Sequence, residues 1–559
     1  MERYEMADAR TIVPAHYQPA LPRERFILNE PADPESIAMD VVFVGGGPAG
    51  LAGAIELARL VRQANEAGDG PGAVEIAVLE KAGALGEHSL SGAVVNPGPF
   101  RELFPDVPET ELPFRSAVTD ERVFVLTDTH SIRIPAPPSM RNHGNRIASI
   151  CEIVRWMGER AEAAGINVFT GFPAASLLVE GNRVTGVRTT PSGLNRDGKP
   201  GSGYTAPTDI VAKVTALAEG PRGALAQAYF EWQSIPATNP QIYALGVKEI
   251  WETRQPLDAI VHTLGWPLPT DTFGGSFMYP LEPRVLALGL VAGLDYGDRN
   301  LDVHELLQRM KLHPLFRGYL DSGEMVEWGA KTIPEGGYHS IPSRRHGDGI
   351  VILGDSAGFV DVASLKGIHY AVQSGMYAAR AIFAALRQGD WSAASLSAYD
   401  RMVDESSIRS DLYKRRNMRL AFKDGFFTGG FKSTLMTVSG GALFGGRIEI
   451  ERDADVPRVK RPAPPPLTDT RLTTRKVDAV FKSGNRTRDD IPGHLIVGSD
   501  IPPDVAEFYS HVCPAGVYER DGDRLVVNAP NCVDCKATDV LGPRWTPREG
   551  GSGPAYRRM

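Results

Sequence analysis

The stretch from Asp40 to Glu80 constrains this chain more than any other. Asp40-Val41-Val42-Phe43-Val44 is a short apolar run that stops at Gly45-Gly46-Gly47-Pro48-Ala49-Gly50, and LAGAIELARLVRQANEAG (51–68) follows with apolar residues at helical spacing. Val74-Glu75-Ile76-Ala77-Val78-Leu79 then reads as a second strand ending at Glu80. Strand, glycine turn, helix and strand in that order make a βαβ unit. The glycines have separable jobs: Gly45 permits the tight turn, Gly47 lets a pyrophosphate approach the backbone, and Gly50 lets the helix pack closely on the strand. The helix N-terminus offers unpaired N–H groups and partial positive charge to the phosphates. Glu80, at a strand end, is placed to accept hydrogen bonds from ribose hydroxyls. A glycine motif by itself is a weak signal, and the ordered context is what predicts a dinucleotide site.

Later strands of the same sheet are expected far downstream. VAKVTALAEG (211–220) and GIVILGDSAG (349–358) are apolar runs ending in small residues, so the first domain is read as discontinuous. The second run ends in Gly354-Asp355, which resembles the second cofactor element of glutathione-reductase-type FAD enzymes, where the aspartate contacts the ribityl or phosphate portion. That favours FAD over NAD. No second GxGxxG βαβ unit occurs, so some other partner is expected to reduce the flavin. Residues 226–344 alternate apolar segments with turns and read as a mixed sheet forming a second lobe. IASICEIVRWMGERAEAAG (147–165) reads as an amphipathic helix with Cys151 on its apolar side, a core residue.

Only four cysteines occur, which rules out a disulfide-stapled secreted protein, yet Cys513, Cys532 and Cys535 crowd near the C-terminus. A Cys-x2-Cys pair with a cysteine 19 positions ahead of it suits an iron–sulfur cluster or zinc. Cys513-Pro514 is similar to the Cys-Pro of cluster-binding ferredoxins, in which a further x2 step brings another cysteine; here that position is Thr538. Four completions stay open. Asp539 or the Thr538 hydroxyl is the fourth ligand of a four-iron cluster, the cluster has three irons, His511 completes a zinc site, or the thiols are buried and bind nothing. VPRVKRPAPPPLTDT (456–470) is read as the linker to this module.

The formal charge of −8 argues against a general nucleic-acid binder. No run of about 18 apolar residues is present, so no membrane-spanning helix is expected. The N-terminal segment lacks the apolar core of a secretory signal and its acidic residues argue against a transit peptide, which places the protein on the cytosolic side. Tyr413 to Lys423 is basic and runs into the aromatic, glycine-rich stretch Gly425 to Lys432, then Leu435, Met436, Leu443 and Phe444. That pattern suits a surface entering the headgroup region without spanning it, and equally a solvated basic helix leading into a core loop.

DVVFVGGGPAGLA, EKAGALGEHSLSGAVVNPGPFRELFPD, NHGN, WMGERAEAAG, GWPL, TFGGSFMY, LALGLVAGLDY, EGGYHSIP, KGIHYAVQSG, CPAGVYE, NCVDCK and GGSGPAY are long and irregular. On them the chain resembles the electron-transfer flavoprotein–ubiquinone oxidoreductase family from about residue 38 to the end. The resemblance implies an α/β fold: a glutathione-reductase-type FAD domain (38–225 and 345–455), an inserted mixed-sheet quinone domain (226–344) and a C-terminal ferredoxin-like cluster domain (471–559), after an N-terminal arm (1–37). It implies FAD, a four-iron (4Fe-4S) cluster, ubiquinone, electrons from a soluble electron-transfer flavoprotein, and monotopic attachment at the cytosolic face of the inner membrane. By position, FAD falls on Val41, Gly45, Gly46, Gly47, Pro48, Ala49, Gly50, Glu80, Lys81, Gly354 and Asp355. The quinone falls on Gly274 and Gly275, whose bare backbone lets a flat ring approach. The cluster falls on Cys513, Cys532 and Cys535, with Thr538 where the family has its fourth ligand.

The membrane falls on about 85–106, through Pro99, Phe100, Leu103 and Phe104, and on about 423–441. No catalytic acid or base is assigned; His262, His339 and His369 lie in family-like segments and each is read as structural. Other readings are a nitrogen-fixation-associated or geranylgeranyl-reductase-like flavoprotein, or a zinc-stabilised, membrane-docked binding protein that has lost turnover with its fourth ligand.

Overall fold

The computed structural model describes residues 11–92 and 94–559, and the first ten residues of the N-terminal arm lie outside them. The strand Ile37–Val44, the helix Pro48–Glu66 and the strand Ile76–Glu80 follow one another, with the two strands parallel and Val41 registered on Ile76. Val41, Val42 and Phe43 are fully buried, as befits a parallel strand covered on both faces. Asp209–Leu217 pairs parallel to Ile37–Val44, and Ile350–Ile352 pairs parallel to Asp209–Leu217. Both distant runs therefore join one nine-stranded sheet. The helix Ile368–Gln388 lies against Pro48–Glu66 at a glycine: a Cβ on Gly375 would come within 2.3 Å of the Ala49 carbonyl oxygen.

The second sheet has seven strands in the order Glu324–Pro334, Tyr243–Glu252, Val285–Gly293, Gly274–Glu282, Ile260–Gly265, Glu121–Leu126 and Ser131–Ile134. All pairs are antiparallel except Ile260–Gly265 with Glu121–Leu126. The sheet is mixed, as expected, but a boundary at residue 226 leaves out two of its strands. Their place is set by a parallel pairing with a segment far along the chain, which no local pattern encodes.

The C-terminal module is built from short elements: the helix Pro503–Val512, the hairpin Tyr518–Asp521 with Arg524–Val527, the helix Ala537–Leu541, and Leu495–Ile496 paired with Arg544–Trp545. It does not hang on a free linker. Arg458 is completely buried and donates to the carbonyls of Leu294, Asp453 and Val456, while its backbone pairs with Ile12. The arm is likewise docked: Gln18 donates to the carbonyls of Asp539, Val540 and Gly542, and Arg544 donates to that of Pro19. Backbone carbonyls at the end of a short helix need partners, and here the arm supplies them.

Candidate active site

One cavity of about 950 Å³ runs through the interior between the two sheets. Its glycine-turn end is lined by Gly45, Gly47, Pro48, Ala49, Glu80, Lys81 and Asp355; Gly274 and Gly275 line it too, as do residues of the helix Phe426–Val438.

The glycine turn divides as its spacing predicts. Gly45 has φ +113°, and a Cβ there would sit 2.2 Å from the Ala218 carbonyl oxygen; one on Gly50 would sit 2.1 Å from the Gly45 carbonyl oxygen. Those two are demanded by the fold. A Cβ on Gly47 would meet nothing within 4 Å, so open space faces the helix N-terminus, which has no side-chain cap. That is the cradle an anionic group requires. Glu80 accepts from the Gly46 and Ala82 N–H groups and so ties the turn to the strand end. Val41, Gly46, Gly50 and Gly354 do not line the cavity; they lie behind the wall and shape it.

Lysines crowd this end. Burial and then Lys81 draw the Lys331 ammonium down to about 8 and that of Lys536 down to about 7. Burial pushes the Asp355 carboxyl up to about 6. Trp545 also lines the cavity, with the Lys81 and Lys536 nitrogens each 4.5 Å from a ring centroid. Buried ammonium groups that repel one another fit a site that receives phosphate or other negative charge. Lys331, Lys536 and Trp545 were not predicted, because only the tertiary fold brings them to the glycine turn.

The three C-terminal cysteines come together and form no disulfide. Burial pushes the Cys532 thiol up to about 12, and burial followed by the nearness of Cys513 raises Cys535. Backbone N–H groups are aimed at the sulfurs: Val517 and Ala515 at Cys513, Asp534 at Cys532, Ala537 at Cys535. Hydrogen bonds of that kind are what thiolates bound to iron receive. Asp534 and Lys536 hold φ of +53° and +64° on either side of Cys535, giving the turn its shape. Thr538 is buried beside them; its hydroxyl lies 3.5 Å from that of Tyr518, whose ionisation all three cysteines oppose after burial.

His511 is not the missing donor. It is partly exposed and its Nδ1 lies 3.9 Å from an Asp302 carboxylate oxygen. Among the described residues the histidine that reaches the cysteines is His494, grouped within 4.8 Å with Cys532 and Asp534, its two buried ring nitrogens without hydrogen-bond partners. Asp539 is engaged elsewhere, with Arg222 and the Trp545 N–H.

The cysteine module touches the cavity directly. Cys535 accepts at its carbonyl from the Thr332 N–H, and Thr332, Lys331 and Lys536 all line the cavity. Asp534 is bound by Lys81 at 2.7 Å and by Arg548 at 2.9 Å. Burial disfavours that carboxylate, but Arg548 and Lys81 outweigh it and hold its pKa well below the ordinary range.

Gly274 and Gly275 line the cavity, but their lack of a side chain has a structural cause. Gly274 has φ +153° with the Val291 carbonyl oxygen 2.1 Å from where a Cβ would stand, and on Gly275 the Thr263 carbonyl would be 2.6 Å away. Of the three histidines, His262 lines the cavity, whereas His369 stacks on Tyr370 and His339 packs on Tyr338.

The two apolar segments differ. Phe100, Leu103 and Phe104 are core residues, so 85–106 does not offer them to a membrane. On Phe426–Val438, Phe427 is 77%, Phe431 66% and Val438 81% exposed. Phe426, Gly430, Ser433, Thr434 and Thr437 line the cavity, and Val438 does so too at the helix end. The basic stretch before it is partly structural: Arg415 pairs with Asp361, and buried Arg419 with Asp295 and Glu335. No helix among the described residues is long and apolar enough to cross a membrane.

Comparison with known proteins agrees along the chain. Residues 243–333 match the family model for the ubiquinone-binding region of ETF-QO, and residues 470–557 match that for the 4Fe-4S region of electron transfer flavoprotein-ubiquinone oxidoreductase. The mitochondrial electron transfer flavoprotein-ubiquinone oxidoreductase of Oryza sativa is 36% identical over 94% of this chain and 94% of that protein. The Homo sapiens counterpart is 37% identical over 93% and 89%. Among solved structures, a geranylgeranyl bacteriochlorophyll reductase-like protein from Thermoplasma acidophilum aligns with a TM-score of 0.53 at 18% identity, over 73% of this chain and 96% of that one. A flavin-dependent brominase aligns with a TM-score of 0.51 at 15% identity, over 73% and 95%. These two share a fold with this chain over that 73% of its length.

Proposed function

The chain belongs to the electron-transfer flavoprotein–ubiquinone oxidoreductase family, and from that premise we propose how its residues divide the reaction. It is an oxidoreductase with FAD and an iron–sulfur cluster as cofactors, and it transfers electrons to ubiquinone. The cofactors supply the redox chemistry, passing single electrons and pairs, and the protein supplies placement and electrostatics.

In our reading the Gly45–Gly50 turn and the N-terminus of Pro48–Glu66 hold the pyrophosphate of FAD, Glu80 and Lys81 the ribose side, and Asp355 the ribityl chain. Lys331 and Lys536 set a positive potential along the flavin. Ubiquinone enters past Phe426–Val438 and seats its ring at Gly274 and Gly275. Cys513, Cys532 and Cys535 hold the cluster against the cavity wall. The FAD domain covers 38–225 and 345–455 less 121–134, which goes with the quinone domain at 226–344; the cluster domain is 471–559. A soluble electron-transfer flavoprotein delivers the electrons, and Phe427, Phe431 and Val438 rest in the cytosolic face of the inner membrane without spanning it. The observation that supports this reading is the single cavity shared by the glycine turn, the two strand glycines and the exposed aromatic helix. Anaerobic reduction of a short-chain ubiquinone by reduced electron-transfer flavoprotein, with iron counted in the same sample, tests it. A holoprotein that bleaches its flavin but never reduces quinone overturns it.

A second reading concerns the cluster alone. A four-iron cluster takes four protein ligands, and a threonine hydroxyl is a poor partner for iron beside thiolates. The site therefore suits a cluster held by three thiolates, as a three-iron form or with one labile iron. Iron and sulfide analysis with EPR of the purified protein decides it: fewer than four irons per FAD, restored to four by Thr538→Cys, is expected. Four tightly held irons in the unaltered protein would sink this reading and leave the first intact.

A further inference from the structure

The second sheet adds titratable groups to the cavity lining besides the residues assigned above to FAD and the cluster. His262 on Ile260–Gly265 and Tyr279 on Gly274–Glu282 both line the cavity. They share a face of the sheet, because His262 is registered on Phe277, two residues before Tyr279. The Tyr279 hydroxyl lies 3.3 Å from His262 Nδ1 and 3.5 Å from Nε2, and His262 Nε2 lies 3.6 Å from Glu121 Oε1. The His262 side chain is 5% exposed and that of Glu121 12%, so Glu121 is the more accessible of the two to water. Asn142 donates its backbone N–H and its side-chain amide to the two Glu121 oxygens and fixes that carboxylate.

We propose that Glu121, His262 and Tyr279 form a proton relay that carries a proton from solvent to the quinone bound at Gly274 and Gly275. This rests on the quinone-site reading above. Reduction of a quinone takes two electrons, supplied by the family reaction, and one proton at each carbonyl oxygen. At the carbonyl nearer Tyr279, the phenol O–H bond breaks as the quinol O–H bond forms. His262 returns a proton to the phenolate from one ring nitrogen while its other nitrogen takes one by way of Glu121, and water recharges Glu121. The carbonyl toward the open mouth takes its proton from water.

The chemistry of the groups suits these roles. Burial, with Lys366 adding to it, draws the His262 pKa down to about 3, so the imidazole is neutral. A neutral imidazole accepts at one nitrogen and donates from the other, which is what a relay requires. Burial, with Glu121 adding to it, raises the Tyr279 phenol far above its ordinary value, so it keeps its proton until a strong base forms beside it. The charged groups facing His262 are Glu121 and Lys366.

The test uses holoenzyme reduced with dithionite and mixed anaerobically with a short-chain ubiquinone. Tyr279→Phe and His262→Gln should slow flavin reoxidation by quinone at least tenfold, with the quinone KM within twofold and the rate of flavin reduction by dithionite unchanged. Exogenous imidazole should recover part of the rate in His262→Ala, which a purely structural role would not allow. Wild-type reoxidation rates in both variants, or a loss confined to KM, would overturn the relay. Val291→Trp separates the two claims, because Val291 is registered on Gly275 and lines the cavity. A raised quinone KM in Val291→Trp with a silent Tyr279→Phe refutes the relay alone. An unchanged KM in Val291→Trp refutes the quinone site and the relay with it.

Discussion

Two short apolar segments rich in phenylalanine met opposite fates. Pro99, Phe100, Leu103 and Phe104 sit in the core beneath Ile368–Gln388, while Phe427 and Phe431 stand in solvent on Phe426–Val438. Composition does not distinguish them, and both were expected at a membrane. What separates them is the chain around each. Arg380 on Ile368–Gln388 pairs with Glu102, which pins the first segment against the sheet's helical layer. The second segment packs mainly through Gly429 and Met436, and its remaining faces look at the cavity and at solvent. An apolar residue is read from sequence; which surface covers it is not.

The largest test of that contrast is Phe100→Ala. Removing a fully buried phenylalanine should cost about 3–5 kcal/mol in denaturant unfolding, with vesicle binding unchanged. A stability loss below about 1 kcal/mol would mean the first segment is not core after all.

The same inside–outside contrast holds among lysines and gives a pH effect. Burial draws Lys248 down to about 8, whereas an unfolded chain holds that proton up to about 10.4. Between those values the unfolded state binds more protons, so stability should climb as pH rises from about 8 toward about 10.4. Lys248→Met should remove a climb on the order of 2–3 kcal/mol. An unchanged slope in Lys248→Met would break the comparison.

Phe427→Asp with Phe431→Asp should lower partitioning onto phospholipid vesicles on the order of a hundredfold, since each ring transferred is worth roughly 1.5–3 kcal/mol. The melting temperature should stay within about 2 °C, because neither ring is buried. Retained vesicle binding would remove this helix from the membrane.

The smallest effects come from adjacent glycines on that helix. A Cβ on Gly429 would lie 2.6 Å from the Phe422 Cα, so Gly429→Ala should destabilise by about 1–3 kcal/mol. A Cβ on Gly430 meets nothing within 4 Å, and Gly430→Ala should stabilise by about 0.5–1 kcal/mol. Opposite signs in calorimetry would show that one flank of this helix is packed and the other open.

The parallel sheet, the glycine turn and the cysteine group were legible because each is written in adjacent residues. The unlike duties of Gly45 and Gly47 follow from spacing alone. The strands Glu121–Leu126 and Ser131–Ile134 fall outside the expected 226–344 span because their partner is remote in sequence. Lys331, Trp545 and Asp534 were missed for the same reason, since each meets Lys81, hundreds of residues away, and His494 meets Cys532 and Asp534 only through the fold of the module. The Gly274-Gly275 pair has a second cause that the residues alone do not display, since the carbonyls of neighbouring strands leave no room for a side chain there.

The Gln18 strap carries a consequence in time. Its acceptors at Asp539 and Val540 lie 521 and 522 positions downstream. A ribosome adding roughly 5–20 residues per second needs about half a minute to two minutes to cover that span. Throughout synthesis Gln18 therefore waits for its acceptors, and the arm docks there only after all three cysteines have been made.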